Sequence, residues 1–75
     1  MAIPPDKIRL GACYSGDGGS DRLIVELADE RVRYETRPSG TKEPFGNPRS
    51  QGLRAFARLV FDEIDPDTGA IIPRQ

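Results

Sequence analysis

The clearest pattern of apolar and polar positions in the chain lies between Asn47 and Ile64. Its apolar residues repeat at steps of three and four, which is the spacing that lines one face of an α-helix. The residues on this face are Leu53, Phe56, Ala57, Val60, Phe61 and Ile64. The spacing predicts a helix with one side buried against the rest of the molecule.

The residues that flank this pattern set its limits. Asn47 followed by Pro48 is typical of an N-cap and a first helical residue, because the Asn side chain accepts from a free backbone N–H and Pro has no N–H to leave unpaired. Ser50 is the alternative cap. Pro66 disfavours helical geometry for the residue before it. We therefore predict a helix over residues 47–64.

Three stretches before the helix alternate apolar and polar residues, as half-buried strands do. They are Lys7 to Tyr14, Arg22 to Ala28 and Arg31 to Arg37. The inward positions would be Ile8, Leu10, Ala12 and Tyr14, then Leu23, Val25 and Leu27, and then Val32, Tyr34 and Thr36. The short link from Ala28 to Arg31 predicts a hairpin between the second and third strands.

The remaining stretches have the composition of loops and turns. Residues 1–6 contain Pro4 and Pro5 and are expected to form a flexible leader. The glycine-rich run Ser15 to Asp21 and the proline-containing run 38–46 are expected to be loops. After the helix, Asp65 to Gly69 indicates a turn, and residues 70–72 indicate a short edge strand that ends at Pro73.

Together these elements predict one small α+β domain over residues 1–75. The element order is three strands, one helix and a fourth strand if residues 70–72 pair. The simplest arrangement is an antiparallel sheet of three or four strands with the helix packed on one face and the other face open.

If these registers hold, the open face is mostly basic. It carries Lys7, Arg9, Arg22, Arg31, Arg33 and Arg37, opposed only by Glu26 and Glu35. The solvent side of a sheet is commonly charged, and Lys and Arg there also prevent edge-to-edge aggregation. Both a solvated face and a contact face are consistent with this pattern.

The net charge of −1 hides an uneven distribution. Residues 31–58 hold seven basic and two acidic residues, a net charge of +5. Residues 1–30 and residues 59–75 each have a net charge of −3. The overall charge argues against a dedicated nucleic-acid-binding domain, which is usually strongly basic. The basic middle of the chain is consistent with binding to an acidic partner.

Composition excludes several kinds of chemistry. A chain of 75 residues is too short to build a deep catalytic cleft with supporting residues around it. It has no histidine and a single cysteine, Cys13, so neither an imidazole base nor an internal disulfide is available. No apolar run is long enough for a membrane span or a signal peptide. We expect a cytoplasmic protein without a cofactor or a bound metal.

Three short motifs bear on chemistry. The segment Ala12 to Gly16, ACYSG, resembles the nucleophile segment of bacterial caspase-like cysteine peptidases, in which Cys13 would be the nucleophile. Those enzymes also need a histidine and a larger α/β sheet, so we expect Cys13 to be a strand residue. The glycine-rich loop lacks the ending of a nucleotide-binding loop. The run from Asp65 to Gly69 lacks the ligand spacing of a calcium loop.

These observations favour a non-enzymatic module, such as an adaptor or inhibitor, that binds an acidic protein surface. The candidate binding residues are Arg9, Arg22, Arg31, Arg33, Arg37, Lys42, Phe45, Arg54 and Arg58. One alternative is a nucleic-acid-binding domain that uses the outward arginines of the sheet and helix. Another is a structural homodimer joined through edge strands.

Overall fold

The computed structural model describes residues 3–16 and 18–73. In this part of the chain one α-helix and six strands form an antiparallel α+β structure. The elements are β1 (Cys13–Gly16), β2 (Ser20–Ala28), β3 (Arg31–Pro38), β4 (Gly46–Gly52), α1 (Leu53–Leu59), β5 (Val60–Ile64) and β6 (Ile71–Ile72). The predicted class is confirmed, while the predicted count of three or four strands is wrong.

The sheet has the strand order β4-β3-β2-β1-β5-β6. The first four strands form a meander in which each strand pairs with the next. The chain then passes through α1 to the other side of β1, where β5 pairs with β1. A hairpin returns β6 onto β5. Strands β4 and β6 are therefore the two edges of the sheet.

The predicted helix over 47–64 is wrong at both ends. Residues 46–52 form β4, and the residue at the N-cap is Gly52, which makes no side-chain capping bond. Residues 60–64 form β5, so the helix stops at Leu59. Gly and Pro in the first part disfavour a helix, and the Val, Phe and Ile of the last part fit a strand. Val60 and Ile64 are both buried, but a register shift beside Val60 puts them on opposite faces of the sheet. Their helical spacing therefore does not report a shared face.

The short helix forces the sheet to curl. A helix of seven residues is about 10 Å long. In a flat sheet, β4 and β5 would lie four strand spacings apart, or about 19 Å. The helix can join them only if the sheet bends toward it. The structure accordingly has a concave face that holds α1 and a convex face on the opposite side.

Phe56 is the centre of the concave face. It is fully buried, and its ring meets Tyr14 of β1 edge-on at 6.1 Å and Tyr34 of β3 at 4.9 Å between ring centroids. Aromatic pairs in these geometries add about 0.5–1.5 kcal/mol beyond the burial of their area. The surrounding core consists of Ile3, Ile8, Ile24, Val32, Ala57 and Val60.

The start of the chain is more ordered than a flexible leader. Ile3 is buried and its N–H donates to the Val60 carbonyl at 3.3 Å, and Pro5–Lys7 forms a turn of 3-10 helix. Met1 and Ala2 of the predicted leader lie outside the described residues. The predicted strand from Lys7 begins only at Cys13. Before it, the chain folds over Tyr14, whose hydroxyl accepts from the Arg9 N–H at 2.9 Å.

A β-bulge in β2 changes the predicted register. Ile24 pairs with Tyr34, and Glu26 pairs with Arg33, so Val25 has no direct partner and is exposed. Ile24 is in the core, which means that Leu23 lies on the convex face instead of the predicted inward one. The inserted residue shifts the alternation by one position, so Leu27 packs against the core as predicted although Leu23 does not. The sequence pattern alone does not show where such a shift occurs.

The predicted loop from Ser15 to Asp21 is wrong at both ends, because Ser15 and Gly16 belong to β1 and Ser20 and Asp21 belong to β2. Only residues 17–19 separate β1 from β2, and Asp17 lies outside the described residues. In the turn between β5 and β6, the Gly69 N–H donates to the Asp65 carbonyl at 2.7 Å, and the Asp67 N–H donates to Asp65 Oδ1 at 2.8 Å. The turn at 65–69 and the short strand after it are confirmed. No helix within residues 3–16 and 18–73 is long and apolar enough to cross a membrane.

Gly16 gives a direct test of this packing. A Cβ atom at this position would lie 2.0 Å from the carbonyl oxygen of Leu59, a backbone atom that cannot move aside. We expect Gly16→Ala to lower the free energy of unfolding by about 2 kcal/mol or more in urea denaturation. Gly46→Ala is the matched control, since a Cβ there meets nothing within 4 Å and should change stability by less than about 0.5 kcal/mol. Equal stability of the two variants would contradict the contact between β1 and the end of α1.

Candidate interaction surface

One half of the convex face is closed by a buried ion pair. Arg37 and Asp21 lie opposite each other on β3 and β2, with 3.5 Å between Arg37 Nε and Asp21 Oδ2. Their side chains are only 8% and 5% exposed. Ser39 Oγ donates to the second carboxylate oxygen at 3.0 Å. This pair therefore ties the loop after β3 to the sheet.

The same guanidinium holds two further segments. Arg37 donates to the Pro66 carbonyl oxygen at 2.6 Å, and it stacks over the Phe45 ring at 4.3 Å from the centroid. The loop 39–45 and the turn after β5 are thus both anchored on one side chain. The prediction that Arg37 lies on the open face is wrong, because chain segments that are distant in sequence fold over it.

Two other candidate cations, Arg22 and Arg9, also bind partners within the fold. Arg22 is 9% exposed and lies on the concave side, where its guanidinium donates to the Ser20 carbonyl at 3.2 Å. It faces this way because Tyr14 and Thr36, its partners across the sheet, face the same way. Arg9 is exposed and forms an ion pair with Glu63, which raises the pKa of the Arg9 guanidinium. Arg9 lies near the opposite edge of the sheet from β4.

The other half of the convex face remains open. Arg31 and Arg33 are exposed there, as the alternation in β3 predicts. They border a shallow groove of about 580 Å³ that crosses β2, β3 and β4, which we call the arginine groove. Its charged and edge residues are Glu26, Asp29, Arg31, Arg33, Pro48 and Arg49. Two guanidinium groups, those of Arg31 and Arg33, thus lie on this face with two carboxylates. Arg49 lies opposite Tyr34 in the sheet, so its side chain is on the concave side and only its strand borders the groove.

The exposed arginines Arg31 and Arg33 have no ion-pair partner in the part of the chain that the structure describes. Within residues 3–16 and 18–73, none of Arg31, Arg33 and Arg49 forms an ion pair, although Glu26 lies opposite Arg33 in the sheet. Arg31 and Arg33 are two residues apart on one strand, so their side chains leave the same face with about 7 Å between them. The groove therefore presents a spaced pair of unneutralised positive charges.

The remaining candidates are more scattered. Arg54 and Arg58 are exposed on α1, and Lys42 is exposed in the loop after β3. The helix begins beside the turn between β2 and β3, because the Leu53 N–H donates to the Glu30 carbonyl at 2.7 Å. Arg54 is consequently close to that turn, while Arg58 lies one helical turn further along. Phe45 is half-buried against Arg37 instead of free for contact.

Arg49 is a groove residue that the sequence analysis did not select. The predicted helix placed Arg49 in its first turn, so the sequence analysis did not assign Arg49 to the sheet. A strand assignment for residues 46–52 would have placed it beside β3, and the glycines and the proline of that stretch were the available signal.

Cys13 has the environment of a structural residue. It is 1% exposed on the convex side, in register with Leu23 and Ile64. Burial, with a smaller contribution from the Asp21 carboxylate, raises the pKa of its thiol to about 11. A thiol with this pKa is protonated at neutral pH and is a poor nucleophile.

Comparison with known proteins gives no further guide to this surface. No protein-family model, curated protein or solved structure matches the chain. The likeness to caspase-like peptidases therefore rests on Ala12–Gly16 alone. No group of three or more potential metal ligands occurs in the described part of the chain.

The buried pair can be tested by removing its cation. Arg37→Met leaves Asp21 as a buried, uncompensated carboxylate, and we expect the free energy of unfolding to fall by about 3 kcal/mol. Adding Asp21→Asn removes that charge and should recover at least about 1 kcal/mol in urea denaturation. Arg33→Met, at an exposed position, is the control and should have little effect. If Arg37→Met is as stable as this control, Arg37 does not anchor the loops.

The reactivity of the thiol provides a separate test. At about pH 8 we expect Cys13 in the folded protein to resist a thiol reagent for hours and to react at once in denaturant. Because its folded pKa is raised to about 11, the neutral thiol favours folding, and this contribution is lost as the pH rises through that value. Rapid labelling of the native protein would show that Cys13 is accessible.

Proposed function

We propose that the protein is a small, non-enzymatic module that binds an acidic protein segment in the arginine groove. The observation that carries this proposal is the pair of exposed guanidinium groups of Arg31 and Arg33 beside one open groove, neither of which forms an ion pair within residues 3–16 and 18–73. Elsewhere on the convex face, Arg37 is neutralised within the fold. On the convex face, the groove is therefore where positive charge is available to a partner.

The geometry favours an extended partner segment. Arg31 and Arg33 repeat at the two-residue spacing of a strand, and carboxylates at alternate positions of an extended peptide have the same spacing. Each guanidinium can bind a carboxylate through two parallel hydrogen bonds. The partner we propose therefore carries Asp or Glu at every second position. Exposed pairs of this kind contribute mainly to specificity and association rate.

A nucleic acid is the weaker alternative. Single strands are commonly held by bases stacked on exposed aromatic side chains. Here Tyr14, Tyr34 and Phe56 are all in the core, and Phe45 is covered by Arg37. Phe61 is exposed, but it lies on β5 and does not line the arginine groove. The groove also contains Glu26 and Asp29, which would repel phosphates. A structural homodimer remains a third proposal.

The absence of histidine and the protonated state of Cys13 support a non-enzymatic role. A single unpaired cysteine is typical of proteins from reducing compartments, which supports the cytoplasm as the site of this function.

Charge reversal in the groove tests the proposal. The probe is a fluorescein-labelled peptide of about eight residues with Glu at alternate positions. We expect Arg31→Glu with Arg33→Glu to weaken its binding at least about tenfold, measured by fluorescence anisotropy. Arg58→Glu with Arg54→Glu makes the same change in net charge on the helix and should weaken binding much less. Equal loss in both double variants would show an effect of net charge and not of the groove.

A short duplex DNA, about as long as the extended peptide, is the second probe. Under the proposal, DNA binds more weakly than the acidic peptide at every salt concentration. Tighter DNA binding, with an affinity that falls steeply with salt and a slope that Arg31→Glu and Arg33→Glu flatten, would replace the protein partner with a nucleic acid.

A further inference from the structure

The edge of the sheet at β6 has backbone groups that face outward. The Asp65 N–H donates to the Ala70 carbonyl at 2.9 Å, which makes these two residues a hydrogen-bonded pair at the base of the hairpin. In an antiparallel ladder such pairs alternate with non-hydrogen-bonded ones. The next pair, Ile64 with Ile71, is therefore non-hydrogen-bonded. The N–H and C=O of Ile71 consequently point away from β5, and β6 is the last strand among the described residues.

Apolar side chains surround this edge. Ile71 is 63% exposed and Leu10 is 64% exposed, the two highest values among the large apolar residues of the described chain. Leu10 lies near this edge, because it lines a small groove together with Ile72. Ile72 faces the other side of the sheet, in register with Glu63. There it borders a groove of about 500 Å³ that also reaches Ile3, Tyr14 and Pro73. A strand added beside β6 would thus find apolar surface on both sides for its alternating side chains.

The charge around the edge is negative. Residues 59–75 contain four carboxylates, at Asp62, Glu63, Asp65 and Asp67, against one basic residue, Arg74, a net charge of −3. The groove beside Ile72 adds Asp6, Lys7 and Arg9, which leaves the sum negative. Glu63 is paired with Arg9, whereas Asp65 and Asp67 have no ion pair within residues 3–16 and 18–73. This charge complements a strand that carries Lys or Arg.

We propose that β6 accepts an extended segment of a partner protein, with aliphatic and basic side chains, as a seventh strand of the sheet. Addition of a strand to a free edge gives affinity through main-chain hydrogen bonds and specificity through alternate side chains. This site lies at the edge opposite to β4 and is independent of the arginine groove.

A second copy of the chain fits this edge poorly. The other free edge, β4, contains Pro48 and a residue with positive φ, Asn47, and it has no aliphatic side chain to cover Ile71. Pairing of β6 with β6 would bring two sets of four carboxylates together. The free edge and its charge therefore favour a foreign basic strand.

The test uses a labelled peptide of about eight residues in which Val and Lys alternate, together with the intact protein. In the variant Arg31→Glu with Arg33→Glu, whose arginine groove no longer favours an acidic peptide, we expect this peptide to bind at least about tenfold more tightly than the alternating Val and Glu peptide. We also expect N-methylation of its backbone at every second residue to weaken binding at least about tenfold, because it removes the donors that pair with the edge while keeping side chains and charge.

Variants of Ile71 locate the site. Ile71→Pro removes the outward N–H without breaking the ladder to β5, and it should abolish binding, whereas Ile71→Val should bind nearly as well as the native protein. Arg31→Glu with Arg33→Glu should leave this binding unchanged or slightly tighter. The proposal is overturned by no binding at about 1 mM peptide, by equal binding of the N-methylated peptide, or by a doubled mass of the protein without peptide.

Discussion

The length of α1 is the constraint on which the rest of the structure depends. Seven residues must carry the chain from one edge strand of the sheet to a strand on the far side of β1. A helix this short cannot cross a flat sheet of this width, so the sheet curls around it. The curl brings the rings of Tyr14 and Tyr34 onto Phe56 and creates a closed core in a chain of only 75 residues. It also leaves a convex face that no helix within residues 3–16 and 18–73 covers.

The two halves of that convex face differ in how their charges are used. At one end of β3, Arg37 is buried with Asp21 and holds two loops that are distant in sequence. At the other end, Arg31 and Arg33 are exposed, and no loop among the described residues covers them. One strand therefore supplies both a structural cation and the cations of the proposed binding groove. The difference comes from the segments packed above each residue, since all three alternate on the same face.

Sequence alternation predicts well where one strand pairs simply with its neighbours. Val32 and Tyr34 face the core and Arg31 and Arg33 face solvent, as their spacing indicates. The Asp65–Gly69 turn and the short last strand follow from local turn chemistry. Local patterns do not show which segments pair over long range. The burial of Arg37, the reversed face of Arg22 and the strands on either side of α1 all depend on such pairing.

The central claim is that residues 60–64 form a strand beside β1 and do not continue the helix. Because the Ile64 and Ile71 pair is non-hydrogen-bonded, the pair of Tyr14 with Glu63 on the other side of β5 is also non-hydrogen-bonded, which brings their α-carbons to about 4.5 Å. Solution NMR of the native protein should therefore show a strong nuclear Overhauser effect between the α-protons of Tyr14 and Glu63. Its absence, together with helical contacts between residues three apart from Val60 to Ile64, would contradict the curled sheet and the surfaces derived from it.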